Sequence, residues 1–351
     1  MNLTDVIEGL VEERGLSRED VISIVCEGVL AAYKKKYPEA ELSIKFNRKL
    51  GSAEIFLKKE VVSSAQDDDK KVSLRKAHVV SPKAKLGDVI EVPLVDKIGR
   101  IEVLIAKQVI ANKIRQLEQS AIAEEFKDKE GAIVVGNAHK QERAGLAVKI
   151  GDAMALLPTS NSIPEETFRI GAPIRALLRE VLDVPRGDFQ LILDRASADF
   201  VEKLLELEIP EIFEGIVEVK KIVRSPGYKT KVIVSSNNKE IDPVGTCVGV
   251  GGARIKPILR ELSGEKIDLI ESTESLDVLV KNSLKPAEID KVEVSQDEKR
   301  AVVWLPQDQR SLAIGKMGRN ISLASKLVGI EINLQEAVSE ATSVLSSEEG
   351  E

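Results

Sequence analysis

Cysteine, histidine and aromatic residues are scarce in this chain of 351 residues, and long apolar runs are missing. The two cysteines, Cys26 and Cys247, are far apart and lie in helical apolar patterns, so we expect core thiols in a reducing compartment. The histidines, His78 and His139, are isolated, which argues against a metal cluster. The first residues lack the pattern of a signal peptide and no apolar run approaches the ~20 residues of a membrane span, so we expect neither feature. We therefore expect a cytoplasmic protein without metal or cofactor.

Aromatic side chains make up only 3% of the sequence, so the hydrophobic cores must be built from Val, Ile, Leu and Ala. The net charge of −7 argues against a uniformly basic nucleic-acid-binding protein. The charge is uneven, however, because residues 219–266 carry ten basic and four acidic side chains. This local excess of positive charge could bind phosphate groups, although an ordinary solvated surface can have the same composition.

Two glycine turns of the same design lie in the second half of the chain. The first, Gly249–Gly252, reads Gly-Val-Gly-Gly, and the second, Gly315–Gly318, reads Gly-Lys-Met-Gly 66 positions later. Each turn separates two apolar helical patterns and is followed by a short β-branched strand, at Lys266–Ile270 and Ile330–Leu334. A helix–GXXG–helix–strand unit is the arrangement with which KH domains clamp about four nucleotides of single-stranded nucleic acid.

The residue types in the two turns fit phosphate binding. Glycine has no Cβ and tolerates positive φ, so a glycine loop can approach a sugar-phosphate chain closely. The helix that begins after the loop directs free N–H groups and its positive dipole end at phosphate. Mobile positive charge is expected from Arg254, Lys256, Lys316 and Arg319. The predicted RNA-binding residues are Gly249, Val250, Gly251, Gly252, Arg254, Lys256, Gly315, Lys316, Met317, Gly318, Arg319 and Asn320.

Nucleotide-binding motifs fit the spacing of these glycines less well. A single GXXG sequence is also typical of a plain helix–helix turn, but two copies in matching contexts favour a tandem binding module. The first turn has Arg254 where a dinucleotide fingerprint needs its third glycine, and no buried strand precedes it. The second turn has Met317 where a P-loop needs Ser or Thr. Neither turn is therefore predicted to bind a nucleotide cofactor.

Periodicity and composition predict an α+β multidomain protein. An N-terminal α/β domain is followed by the short strands of an OB-type barrel and by two tandem α-β-β-α-α-β units, the order of type II KH domains. A Ser/Glu-rich tail is predicted to be disordered. The predicted boundaries of these five segments are 1–130, 131–195, 196–275, 276–338 and 339–351.

The linker between the two α-β-β-α-α-β units is short. Only Glu271–Ser275 separates them, which spans at most ~18 Å when fully extended. We therefore expect the units to pack together, with the second hairpin against a strand of the first unit.

The predicted barrel offers weaker signals for nucleic-acid binding. Its candidate contact residues are His139, Lys140, Arg143, Phe168 and Arg169. Strong OB-fold binders stack bases on aromatic side chains, which are nearly missing here. A role as a spacer is therefore an equal alternative for this segment.

The chain resembles the NusA family of bacterial transcription termination/antitermination factors over nearly its whole length. The segments that carry the resemblance read AKQVIANKIRQLE, IPEIFEG, RSPGYKTKVIV, DPVGTCVG, GEKIDLI and LAIGKMGRNISLASKL. The order of an α/β domain, an S1-motif barrel and two KH units is also that of the family. The resemblance implies a non-enzymatic monomer that binds core RNA polymerase through its N-terminal domain and nascent single-stranded RNA through the other three. It further implies a role in pausing, termination and antitermination together with other Nus-type factors.

Two features depart from the family pattern. The first GXXG of the family usually carries a basic residue inside the loop, whereas Val250 and Gly251 stand here. We therefore expect phosphate contact at this loop to shift to Arg254 and Lys256. The chain also ends soon after the second KH unit, so we expect it to lack the acidic C-terminal repeats that some members carry.

Two different functions use the same modules. Phosphorolytic RNA-degrading enzymes also combine KH and S1-motif domains, but they place KH before the barrel and need large catalytic domains. An accessory subunit of such an enzyme is thus one alternative. A protein of translation or ribosome assembly is the second, and the N-terminal domain argues against it because it resembles a polymerase-binding domain.

Overall fold

The computed structural model describes residues 3–48, 50–64, 68–96, 98–295 and 297–336. Contacts divide the chain into two compact units, Met1–Ala121 and Ile122–Glu351. The predicted disordered tail, 339–351, and part of the charged loop at 67–71 lie outside the described residues. Among the described residues, none of the helices combines the length and apolar character that a membrane crossing requires.

The first unit combines helices with a four-stranded sheet. Its strand β2 pairs antiparallel with β1 and β4 and, at its end, parallel with β3. Helix α4 begins in this unit, and its turns from Ile122 onwards belong to the second unit. The elements are α1 Thr4–Arg14, α2 Arg18–Lys36, β1 Leu42–Asn47, β2 Ser52–Val62, β3 Lys71–Ser73, α3 Leu74–Val80, β4 Val89–Pro93 and α4 Arg100–Lys127.

Two sequence signals explain how α2 is placed. Ser17 caps the start of the helix, because its hydroxyl accepts a hydrogen bond from the Asp20 backbone N–H at 3.2 Å. Gly28 lies where α2 and α4 approach closely, since a Cβ at this position would stand 2.5 Å from Cγ1 of Ile110. A larger side chain at residue 28 would push the two helices apart.

The second unit begins with a closed five-stranded barrel, as predicted. The strands close in the order β5–β6–β7–β9–β8, and their core is filled by Val, Leu, Ile and Ala side chains together with Phe126 from the end of α4. The strands are β5 Ile133–Glu142, β6 Gly145–Ile150, β7 Ala153–Pro158, β8 Pro173–Arg186 and β9 Phe189–Asp194.

Two copies of one α/β topology follow the barrel, which confirms the predicted α-β-β-α-α-β order. In each copy an antiparallel hairpin is extended by a parallel third strand. The first copy, with an extra short helix α6, consists of α5 Ala198–Glu208, α6 Pro210–Phe213, β10 Val217–Ser225, β11 Lys229–Ser236, α7 Pro243–Val248, α8 Ile255–Glu261 and β12 Lys266–Glu271. The second copy consists of α9 Leu276–Ser283, β13 Lys291–Ser295, β14 Arg300–Leu305, α10 Arg310–Ile314, α11 Arg319–Val328 and β15 Glu331–Glu336.

The cysteines differ in burial. Cys247 on α7 is fully buried in the core of the first copy, and burial raises the pKa of its thiol to about 11. Cys26 on α2 is partly exposed, and burial also raises the pKa of its thiol. Both are free thiols, and neither has the low pKa of a reactive cysteine.

The two copies pack against each other, as the short linker predicts, but through a different surface. Helix α11 lies on β10 and β11, and α9 lies on β12. Ile233 and Ile270 of the first copy and Leu327 of the second are buried in this contact. The prediction that the second hairpin abuts the first copy is therefore wrong, because the apolar outer face of the first sheet is covered by helices.

A buried arginine joins the barrel to the first copy. The Arg195 side chain is 1% exposed and lies between the rings of Phe168 and Phe200. Its guanidinium donates to both carboxylate oxygens of Glu166, at 2.5 and 2.9 Å, and to Oε1 of Glu261 at 2.7 Å. Because Glu166 precedes β8 and Glu261 ends α8, this one residue connects two modules.

Candidate nucleic-acid interface

The two GXXG loops have the same backbone conformation. The φ/ψ angles are 72°/167° at Gly249 and 71°/175° at Gly315, the first positions of the loops. At the third positions they are 60°/18° for Gly251 and 55°/30° for Met317. Only glycine adopts such left-handed conformations without strain, so Met317 carries a steric cost that Gly251 avoids. The two loops therefore share one backbone geometry despite their different side chains.

The first glycine of each loop is required by close packing. A Cβ at Gly249 would lie 2.9 Å from Cγ of Arg254, and one at Gly315 would lie 2.6 Å from Cβ of Asn320. At Gly318, by contrast, no atom lies within 4 Å of the position of a Cβ, so this last glycine faces open space. In both loops the first glycine therefore permits close packing, and in the second loop the last glycine borders open space.

Arg254 and Asn320 occupy equivalent positions and hold the loops together. The Arg254 guanidinium donates to the Thr246 carbonyl at 2.8 Å and to Oε1 of Glu211 at 2.9 Å. The amide of Asn320 is 2% exposed and donates to three carbonyls, including that of Leu312 at 3.2 Å. The sequence suggested a mobile cation at Arg254 and an RNA contact at Asn320. In the structure Arg254 is held in place and is not a mobile cation, and the Asn320 amide is buried against the carbonyls of Leu284, Leu312 and Ala313. RNA contact by either residue stays a prediction.

The positive charge at the loops is unequal. In the second loop Lys316 is exposed, and Arg319 stands at the first residue of α11. The equivalent positions of the first loop are Val250, which is 97% exposed, and Ala253. Lys256 is the exposed cation next to the first loop, with its Cε 3.2 Å from the Cβ position of Gly252. The second loop therefore carries more positive charge than the first.

Tyr228, at the tip of the first hairpin, reaches the second loop and was missed by sequence reasoning. The Arg319 guanidinium lies over its ring, 5.2 Å from the centroid. Its hydroxyl is 3.2 Å from the position that a Cβ at Gly315 would take. No pattern in the segment RSPGYKTK predicts this contact, because a contact between distant modules has no local sequence signal.

A buried ion pair fixes this hairpin tip. The side chains of Arg224 and Glu265 are 2% and 0% exposed, and Nη2 of Arg224 donates to Oε2 of Glu265 at 2.9 Å. The same carboxylate accepts the backbone N–H of Gly227 at 2.8 Å. Tyr228 therefore approaches the second loop from a turn that is held by charge-assisted hydrogen bonds.

Comparison with protein-family models matches three parts of the chain. Residues 2–120 match the NusA N-terminal domain, residues 195–272 the NusA-like first KH domain and residues 276–342 the NusA-like second KH domain. The transcription termination/antitermination protein NusA of Halalkalibacterium halodurans is 36% identical over 94% of this chain and 87% of its own length. The chain belongs to the NusA family.

Further NusA proteins agree with this assignment. The transcription termination/antitermination protein NusA of Thermus thermophilus is 34% identical over 95% of this chain and 89% of its own length. Among solved structures, the N-terminal domain of NusA from B. subtilis covers 33% of this chain and 96% of that structure, with 31% identity and a TM-score of 0.27. The family models and the NusA relatives confirm the resemblance predicted from the sequence motifs.

Family membership decides between the functions left open by the sequence. NusA is a non-enzymatic transcription factor, so the prediction that this chain is not an enzyme is confirmed. NusA membership also implies interaction with RNA polymerase and with RNA. Within the described part of the chain, no group of three or more His, Cys, Asp or Glu side chains could hold a metal ion.

The barrel of this NusA chain brings some of its predicted contact residues together. His139, Lys140 and Arg143 are exposed on the β5–β6 hairpin. Arg169 is exposed beside them, because Gly171 donates its N–H to the Ala138 carbonyl at 2.7 Å. Phe168 is different. It packs against the barrel core beneath Arg195, so it is not available as a stacking platform.

Proposed function

We propose that the chain binds nascent single-stranded RNA through its two KH units and core RNA polymerase through residues 1–130. In this way it modulates pausing, termination and antitermination, as a cytoplasmic monomer that works with other Nus-type factors. The observation that carries RNA binding is the shared backbone of the two GXXG loops, with Lys316 and Arg319 on the second. Cations at the start of a helix, beside bare backbone, favour a phosphate group.

The packing of the KH units supports one RNA surface rather than two separate ones. Helix α11 starts at the second loop and lies on the first sheet, and Tyr228 reaches from the first unit to that loop. Each KH groove takes about four nucleotides, so a strand that crosses both units would occupy about eight to ten. Rigid connection of two weak sites raises the affinity for such a strand without new contacts.

The barrel contributes a secondary basic surface in this proposal. The exposed side chains of His139, Lys140, Arg143 and Arg169 lie together at one end of it. Without an aromatic platform these groups would contact the RNA backbone and not its bases.

The polymerase-binding role of the first unit is supported by exposed apolar side chains. Val79, Leu86 and Val89, in the segment from α3 to β4, are 84%, 57% and 65% exposed. Apolar groups that remain exposed on a folded unit are typical of protein–protein contacts.

Retention on immobilised core polymerase tests this division of labour. We expect a fragment of residues 1–130 to be retained and a fragment of residues 132–351 to bind single-stranded RNA. The melting curve of each fragment serves as the folding control. The proposal would be contradicted if the polymerase retained the fragment of residues 132–351 but did not retain the fragment of residues 1–130.

A further inference from the structure

A cleft between the two KH units is rich in lysine. It has a volume of about 830 Å³ and lies between β12 of the first unit and the end of α9 with its following turn. The lysines that line it are Lys229, Lys266, Lys281 and Lys285. The carboxylates that line it are Asp268, Glu288 and Asp290. The cleft is separate from both GXXG loops in sequence and carries an excess of positive charge.

Asp268 of the cleft wall is shared by two lysines, Lys229 in the lining and Lys231 behind it. Lys229 and Lys231 both donate to the same oxygen, Oδ2 of Asp268, at 2.9 and 2.7 Å. Their side chains are 9% and 0% exposed. Burial lowers the pKa of Lys231, while the Asp268 carboxylate acts in the opposite direction. Buried positive charge of this kind is costly unless a further anion completes the group.

Both walls of the cleft lie close to the second GXXG loop. On one wall, the Lys266 backbone N–H donates to the carbonyl of Tyr228 at 3.2 Å, and Arg319 lies over the ring of Tyr228. On the other wall, Asn320 donates to the carbonyl of Leu284, the residue before Lys285, at 3.3 Å. The cleft is therefore within reach of a strand that is bound at the second loop.

We propose that this cleft binds the phosphates of a single RNA strand as the strand continues from the second loop. The inference rests on the proposed function, since the ligand is the same RNA. The exposed side chains of Lys266, Lys281 and Lys285 contact successive phosphates. The buried ammonium groups of Lys229 and Lys231 add positive electrostatic potential beneath them. Lysine recognises phosphate as a point charge, and the described residues that line the cleft include no aromatic side chain on which a base could stack. Binding in the cleft is therefore independent of base sequence and requires a strand longer than one loop can hold.

The test compares two triple variants of the full chain that remove the same charge. The cleft variant is Lys266→Gln, Lys281→Gln and Lys285→Gln. The control variant changes exposed lysines that do not line the cleft, namely Lys107→Gln, Lys149→Gln and Lys299→Gln. Fluorescence anisotropy measures the affinity of each protein for a uridine 12-mer and a uridine 4-mer over a range of salt concentrations.

We expect the cleft variant to lose about tenfold or more in affinity for the 12-mer and the control to lose less than about threefold. The slope of log K against log salt should fall by up to about 2 in the cleft variant, since each lost phosphate contact contributes about 0.7. The 4-mer, which one loop can hold, should be affected less than the 12-mer. A matched variant with Arg at the three cleft positions keeps the charge and should retain parental affinity.

Three results would overturn the proposal. Equal losses in the cleft and control variants would mean that only total charge matters. If the parent chain binds the 12-mer and the cleft variant binds it equally well, the cleft proposal is wrong and the proposed function is unaffected. A parent chain that binds no RNA would overturn both. All substituted lysines are exposed, so the melting temperatures should agree with that of the parent within about 2 °C.

Discussion

At the scale of single residues, the two loops share a backbone and differ in charge. Lys316 and Arg319 of the second loop stand where the first loop has Val250 and Ala253. Arg254, the residue expected to compensate, is held by Glu211 and a backbone carbonyl. Phosphate attraction at the first loop therefore depends on Lys256, and the second loop should dominate RNA affinity.

A charge reversal at the last loop glycine tests this ranking. We expect Gly318→Asp to lower RNA affinity about tenfold, which is about 1.4 kcal/mol, because the carboxylate repels phosphate. Gly252→Asp should lower it less, since the first loop contributes less attraction. Aspartate tolerates the left-handed conformation better than most residues, and a Cβ at Gly318 meets no atom within 4 Å.

The measurement is a titration of each full-length variant with a labelled uridine 12-mer. Gly318→Asn and Gly252→Asn serve as controls, because they add a side chain of the same size without charge. Losses of the same size at the two loops would contradict the ranking. Melting curves of the variants separate a loss of affinity from a loss of fold.

The sequence predicted the position of both loops but not the role of each side chain within them. Gly249 and Gly315 were identified correctly, because a glycine between two helical patterns carries a local signal. The hydrogen bonds that hold the side chains of Arg254 and Asn320 could not be predicted. Whether a polar side chain faces solvent or the preceding helix depends on partners, such as Glu211 and Leu284, that are distant in sequence.

At the scale of elements, regular periodicity made most helices and strands predictable. The five barrel strands and both α-β-β-α-α-β units were found from their apolar patterns. The strand Lys71–Ser73 and the helices Leu74–Val80 and Pro210–Phe213 were missed. Elements of three to seven residues are too short to establish a period, and tertiary contacts decide whether they form.

Arg195 connects the barrel to the first KH unit, and no local sequence pattern predicts this connection. We expect Arg195→Met to destabilise the second unit by about 3–5 kcal/mol, because the 5% exposed Glu166 carboxylate would lose its partner. Urea unfolding followed by circular dichroism measures the change. Arg186→Met, at the exposed end of β8, should change stability by less than about 0.5 kcal/mol. A loss below about 1 kcal/mol at Arg195 would mean that the junction is held by apolar contacts alone.

At the scale of the whole molecule, linker length predicted contact but not its geometry. The segment Glu271–Ser275 limits the distance between the KH units and leaves their orientation open. The orientation follows from Ile233, Ile270 and Leu327, which bury the outer face of the first sheet beneath α11. Burial of these apolar side chains is favourable, so α11 and not the second hairpin forms the contact with the first sheet.

The central claim is that the two KH units form one continuous RNA-binding surface. The most direct measurement is the affinity of the full chain for uridine oligomers of four to twelve nucleotides at constant salt. We expect a steep rise in affinity as the length passes about eight nucleotides, where one strand can engage both units. The same series with Gly318→Asp should show no such rise. An affinity that is already maximal at four nucleotides in the parent chain would contradict the claim.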